Sequence, residues 1–451
     1  MAKILGQHAA VIGGSLAGLM TARVLADFFE RVTILERDEI EDRPLPRKSI
    51  PQANHLHGLL QGGQRILSAL YPDFTNDLRA LGATRALVGR DIVWHLPDGK
   101  AYNVTGSLRA PFDSGFDAHC ASRGLIEFLV RRRTLSLSNV TLESAAPVHE
   151  LITADDHVRG VRDESGRSFT AELVVDAGGR GSRVAEWLSA LGFPTPATTS
   201  IGVATAYTTA NFRRPASFDA EPLIFVTGPA PTVSRRGYLI TIENDTLLVS
   251  LIGRFGDYPP TDRPGFLQFA NELHSPVIAD IIRDGEQLTS FSHYRFPRSV
   301  QRHYERMASF PEGLLVIGDA VCSFNPIYAQ GMSAAALQVS ALQELLSERV
   351  TQGRGLDRLA PSFFSRAADI NRTPWSLAAA FDFAYPQTTG DRPPGADQEA
   401  RYFAALDRLQ RDDPDLQRLV TEVFHLVRPL SALLDEPVRS RVMAMLKAAT
   451  P

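Results

Sequence analysis

One stretch constrains this chain more than any other. A short apolar run, His8 to Ile12, ends in Gly13-Gly14-Ser15-Leu16-Ala17-Gly18. Apolar residues then recur at helical spacing through Leu16, Leu19, Met20, Val24, Leu25 and Phe28. A second apolar run, Arg31 to Glu36, follows with Val32, Ile34 and Leu35. The pattern predicts strand, tight turn, helix, strand in about thirty residues, the size of a dinucleotide-binding β-α-β unit. The physical reason lies in the turn. A helix start offers unpaired N–H groups and about half a positive charge, which suits a diphosphate. The backbone must approach that group closely, so the turn needs residues with little or no side chain. Gly13, Ser15 and Gly18 occupy the three fingerprint positions, with Ser as the small departure. Glu36, at the end of the second strand, is placed to accept hydrogen bonds from a ribose. This pattern does not separate FAD from NAD.

A second motif, hundreds of residues later, points to flavin. Leu314-Leu315-Val316-Ile317 reads as a buried strand ending in Gly318-Asp319. Asn325-Pro326 and Gln330-Gly331-Met332 precede a long helix expected from Gly331 to about Val350. A carboxylate such as Asp319 can bind ribityl hydroxyls. The helix start at Gly331 can aim its positive end at a flavin ring and stabilise its reduced, negative form.

The remaining chain sets the organisation. Gln61 to Leu70 and a segment from Arg123, with Leu125, Phe128 and Leu129 on one face, predict helices. Leu87 to Val93, Ala101 to Val104 and Leu173 to Asp176 predict strands. From Ser200 to about Phe291 the texture alternates, through Ile201, Val203, Thr205 and Tyr207, and Asn244-Asp245 marks a hairpin turn. The fold class expected is α/β. It comprises a Rossmann-like FAD-binding domain, an inserted antiparallel-sheet substrate domain and a helical C-terminal region. The FAD-binding parts span 1–85, 113–198 and 293–355. The substrate domain takes 86–112 and 199–292, and the helical region 356–451.

Composition narrows the partners. Charged residues make up 22% and the net charge is −4, which gives no reason to expect nucleic acid. Two cysteines, Cys120 and Cys322, exclude a disulfide framework and a multi-cysteine metal site, and fit a reducing cytoplasm. No stretch reaches the roughly 18 apolar residues of a membrane span. Leu416, Leu419, Val420, Val423 and Leu426 form a helical stripe that reads as core packing, although it would also serve a homodimer or a peripheral membrane contact.

Taken with these motifs, the sequence resembles the one-component FAD monooxygenases of the aromatic-hydroxylase type, with the fold of 4-hydroxybenzoate hydroxylase. The likeness rests on Gly13 to Gly18, on Asp176 to Arg183 and on Gly318 to Met332, and spans about residues 8–350. The run Gly318-Asp319-Ala320-Val321-Cys322-Ser323-Phe324-Asn325-Pro326-Ile327-Tyr328 is most similar to bacterial secondary-metabolism hydroxylases and epoxidases. Two features depart from the family: Cys322 replaces its usual His, and the central segment reads Asp176-Ala177-Gly178-Gly179-Arg180-Gly181-Ser182-Arg183.

The resemblance implies oxygen insertion from O2 into an apolar unsaturated or aromatic small molecule, by hydroxylation or epoxidation through a flavin C4a-hydroperoxide. NAD(P)H is the implied electron donor, and a separate flavin reductase is the other route. Expected FAD contacts are Gly13, Gly14, Ser15, Ala17 and Gly18, then Glu36, Arg37 and Arg123. Asp176, Gly318, Asp319, Gly331 and Met332 complete them. Arg47, His57, Asn325 and Tyr328 are expected near the reacting centre, and no residue reads as a metal ligand. Phe225, Tyr238, Phe291, Tyr294 and Phe296 are available to line a substrate cavity. A geranylgeranyl-reductase-like enzyme is the alternative, and Trp94-His95-Leu96-Pro97 faintly resembles a halogenase element.

Overall fold

The computed structural model describes residues 4–88, 91–95, 97, 101–103, 116–216, 218, 223–228, 230–410 and 413–448. Five parallel strands form the first sheet: β1 (Gly6–Ile12), β2 (Phe29–Leu35), β3 (Val140–Glu143), β4 (Leu173–Asp176) and β5 (Leu314–Val316). Their spatial order is β5-β4-β1-β2-β3. Parallel strands are covered on both faces, so they read as unbroken apolar runs rather than alternating ones. Leu314, Leu315 and Val316 accordingly lie at 1% exposure or less. Helix α1 (Leu16–Leu25) makes the β1-to-β2 crossover. Helices α2 (Arg123–Leu135) and α3 (Gly331–Gln352) pack beside it. The expected β-α-β unit is present, with β1 beginning two residues earlier than its apolar core.

The second sheet follows the order 322–323, 292–302, 198–213, 246–254, 236–242, 223–226, 92–95, 101–103. Asn244 and Asp245, both with positive φ (60° and 49°), make the tight turn of its central hairpin. Residues 223–226 and 92–95 pair in parallel, the one exception to antiparallel pairing in that sheet among the described residues. The expected boundary at 292 falls at the start of a long strand, so the sheet runs on to Arg302.

One expectation needs correction, and two elements have no counterpart in the sequence reading. The strand expected from Leu87 to Val93 is two strands. Thr84–Leu87 pairs with Asp117–Cys120, and Ile92–His95 joins the large sheet. Leu87 N–H donates to the Asp91 carboxylate (2.8 Å) and Asp91 N–H to Leu87 O (3.0 Å), which holds the two strand ends together. Val104 lies outside the described residues. A three-stranded sheet at Val148–Ala154, His157–Asp163 and Ser168–Thr170 has no counterpart in the sequence reading, because only Leu151 of its first strand is buried and no regular apolar alternation marks it. Within the C-terminal region, Thr389–Gly390 adds a short strand against Ile201 and Gly202.

The C-terminal region is helical: α4 (Leu359–Asp382), then Ala396–Gln410, Pro414–Phe424 and Val438–Ala448. Leu416 and Val423 are buried among Phe403, Leu406 and Leu433, so that part of the stripe is core. No helix among the described residues is long and apolar enough to cross a membrane.

Candidate functional site

A groove of about 480 Å³ runs between the first turn, the second-sheet wall and the start of α3. Its first end is the Gly13–Gly18 turn. Gly13 has φ +98°, and a Cβ there would meet Ala177 O at 2.7 Å. A Cβ on Gly18 would sit 1.8 Å from Gly13 O. Both positions therefore require glycine. Ser15 precedes α1 but does not cap it. Its hydroxyl donates instead to Glu127 Oε2 (2.7 Å) and accepts from Arg123 Nη2 (3.0 Å).

Glu36 and Arg47 belong to the same charge net. Glu36 Oε2 accepts from Gly14 N–H (2.7 Å), and Oε1 from Asp38 N–H (3.0 Å). Arg47 pairs with Glu36 (2.7 Å) and Glu127 (2.8 Å). Burial opposes the Arg47 charge, but Glu127 and Glu36 outweigh it and raise its pKa. Arg47 was expected near the reacting centre; it is clamped between Glu36 and Glu127. Arg43 is 71% exposed and takes no part. Arg37 is an exposed rim residue that donates to Ser49 O (3.2 Å). Glu127 escaped the sequence reading. The available signal was a carboxylate four residues after Arg123, on a helix that is buried nearly all round.

The other end is built from the loops after β4 and β5. Asp176 accepts from Gly178 N–H (3.0 Å) and from the Ser182 hydroxyl, which closes the Gly178–Ser182 loop over the groove. Gly318 has φ +70° and donates its N–H to Gln338 Oε1 (2.8 Å). Gln338 in turn donates to Asn371 on α4 (2.9 Å). That chain holds Asp319 beside Gly331: a Cβ on Gly331 would lie 3.7 Å from Asp319 Oδ1. Burial raises the Asp319 pKa, against the pull of Arg180, Arg123 and Arg302. Gly331 and Met332 open α3 without a side-chain cap and line the groove.

Asp176 carries a pH prediction. Desolvation raises its pKa from 3.8 to about 6, despite bonds from Ser182 and Gly178 that lower it. The folded state then holds a proton that the unfolded state has released, so this group's contribution to stability rises as pH falls. From pH 7 to pH 5 the gain is about 1 kcal/mol. Asp176→Asn should remove it, as matched urea titrations of both proteins at the two pH values would read.

Asn325 and Tyr328 do not line the groove. Both turn onto buried Asp382 at the end of α4: Asn325 Nδ2 donates at 3.2 Å and Tyr328 OH at 2.7 Å. Arg254 from the second sheet completes this cluster at 2.9 Å, with both side chains 0% exposed. Their expected role near the reacting centre is corrected to holding the loop that precedes α3. His57 does line the groove, and its Nδ1 bonds His55 O (2.9 Å). Since a carbonyl only accepts, Nδ1 is the donor. Burial, then Arg123, lowers its pKa to about 3, so it is a neutral wall residue.

The second sheet supplies the remaining wall. Tyr294 and Phe296 line the groove as expected, joined by Tyr207. Phe225, Tyr238 and Phe291 do not: Phe225 stacks edge-on with Tyr238 (4.8 Å) and Trp94 (5.1 Å), and Phe291 packs on Phe266 (4.9 Å). Trp94, the start of the halogenase-like segment, thus lies in packing rather than on the groove, and Leu96 is outside the described residues. Arg180 bonds Tyr294 OH (2.6 Å) and lies 4.5 Å above the Phe296 ring. His55 sits between Tyr207 and Tyr294, each 5.8 Å away by ring centre.

No known family profile matches the chain. Protein Rv3254 of Mycobacterium tuberculosis (strain ATCC 25618 / H37Rv) is 30% identical over a 458-residue alignment covering 97% of this chain and 93% of that protein. The chain belongs to the Rv3254 family. This Rv3254-family chain shares its fold with solved flavoproteins. The flavin-dependent brominase Bmp2 matches with TM-score 0.69 at 14% identity, over 98% of each chain. PqsL from Pseudomonas aeruginosa, described as a probable FAD-dependent monooxygenase, matches with TM-score 0.60 at 15% identity, over 93% of this chain and 99% of that one. The expected fold class is the one observed, and at these identities the likeness is one of fold.

Proposed function

We propose that the groove binds FAD and that the chain is an FAD-dependent monooxygenase. Its substrate is an apolar unsaturated or aromatic small molecule, which it hydroxylates or epoxidises. One observation carries this reading: two uncapped helix starts, those of α1 and α3, open onto a single groove. FAD gathers negative charge at two places, its diphosphate and its reduced ring, and each suits a helix N-terminus. The glycine cradle fits the group, because a side chain at Gly13 or Gly18 would collide with backbone. The fold likeness to PqsL and Bmp2 supports a flavin enzyme.

The residues divide the work. Gly13, Gly14, Ser15, Ala17 and Gly18 would hold the diphosphate, with Arg123 adding charge. Glu36 accepts from Gly14 and Asp38 and pairs with Arg47; a carboxylate has about four acceptor sites, so capacity is left for a ribose hydroxyl. Asp319 would take ribityl hydroxyls, and Gly331 and Met332 would face the ring. Bound FAD, once reduced by NAD(P)H or by a separate reductase, supplies the electrons for oxygen insertion. The aromatic wall of Tyr207, Tyr294 and Phe296 would orient the substrate and keep water out.

The test is direct. Purified protein should take up FAD and turn yellow, and Asp319→Ala should weaken that binding about 10- to 100-fold by loss of charged hydrogen bonds. With NADPH or NADH, a polyene and aromatic panel and oxygen-18 gas, product should carry one labelled atom. Unlabelled product would shift the assignment to a reductase, and unchanged affinity in the variant would remove Asp319 from the site.

A further inference from the structure

The polar chain behind His55 determines where its imidazole keeps its hydrogen. Leu56 N–H donates to Ser250 Oγ (3.3 Å). The Ser250 hydroxyl then has one acceptor among the described residues, Thr209 Oγ1 at 2.6 Å. The Thr209 hydroxyl hydrogen is left for His55 Nδ1 at 2.7 Å. Nδ1 therefore accepts, and in a neutral ring Nε2 must carry the hydrogen. The reverse order would strand the Ser250 hydroxyl hydrogen at a residue only 1% exposed. Burial, then His293, lowers the His55 pKa to about 4, so the ring is neutral.

The Nε2–H so defined has no hydrogen-bond partner among the described residues. His55 is 5% exposed, and it lines the groove between two tyrosine rings. A buried donor without a partner is costly, and a ligand that supplies an acceptor removes that cost. We propose that His55 Nε2–H is a built donor for a substrate oxygen. The groove thus takes an unsaturated or aromatic molecule bearing a carbonyl or phenolic oxygen, docked on His55 between Tyr207 and Tyr294. This deepens the monooxygenase reading and rests on it for the groove's being the substrate site. His55 acts as a specificity-determining residue, and the Thr209–Ser250 pair positions it.

Two measurements test it on the full chain loaded with FAD. Nitrogen-15 NMR of histidine-labelled protein, with His55 assigned by His55→Gln, should show Nε2 protonated and Nδ1 bare; the opposite tautomer overturns the proposal. Calorimetric titration should then compare 1-tetralone with tetralin, which share a skeleton and differ by one carbonyl oxygen. Wild type should prefer the ketone by at least about tenfold. His55→Phe should bind the two equally while keeping its tetralin affinity. Equal binding in wild type, no ketone binding, or an undiminished preference in His55→Phe each overturns it. Failure of the flavin reading is separable: it appears as a colourless protein, whatever the ketone preference.

Discussion

Asp382→Ala should lower the unfolding free energy by about 3–5 kcal/mol, the range for breaking one partner of a buried ion pair. The carboxylate is the shared acceptor of Arg254, Asn325 and Tyr328. Its removal strands a guanidinium that cannot lose its proton, at a site with 0% exposure on both sides. Two further buried donors lose their acceptor at the same time. The effect reaches the groove, because Asn325 and Tyr328 lie in the loop that leads into α3. The decisive control is the double variant Arg254→Met/Asp382→Leu. It buries no charge and should recover most of the loss. Urea unfolding of the three proteins reads both results; a single-variant loss under about 1 kcal/mol would mean that other contacts dock α4 on the sheet.

Gly18→Ala should cost most of the proposed FAD affinity, at least about 100-fold, and about 1–3 kcal/mol of stability from overpacking. The new methyl group would start 1.8 Å from Gly13 O. That oxygen belongs to the backbone, so no rotamer can relieve the clash. The Gly13 carbonyl must move, and with it the turn that carries the N–H groups of the first α1 residues. Gly14→Ala is the informative comparison. There the nearest atom is Glu36 Cβ at 3.1 Å, a side chain that can yield, so the flavin loss should be clearly smaller. Flavin content per chain after purification measures both. Full occupancy in Gly18→Ala would separate the turn from cofactor binding.

Other positions show how readable the site was. Arg123 was assigned from its place at a helix start, and it does sit on Ser15 at the groove. Arg47 was expected near the reacting centre and lines the groove held in an ion-pair clamp. Its partners are Glu36, eleven residues back, and Glu127, eighty residues on. Asn325 and Tyr328 stand in the most recognisable motif of the chain, yet Asp382 draws both side chains away from the groove. Of the two histidines in the loop before Gly58, only His57 was expected near the reacting centre. The fold gives His57 a partner in its own loop and leaves Nε2 of His55 without one among the described residues.

The elements that local chemistry controls were open to reading from residue order. Turns that only glycine can make, strands buried on both faces and helices with an apolar periodicity declare themselves within a dozen neighbours, as at Gly13–Gly18, Leu173–Asp176 and Gly331–Gln352. Pairings between distant segments were not. The clamp on Arg47, the docking of Asp382 on Arg254 and the hydroxyl relay behind His55 each join side chains from separate elements. Their energies come from burial and from the few acceptors that survive it, and neither exists until the two sheets and the C-terminal helices have closed around them.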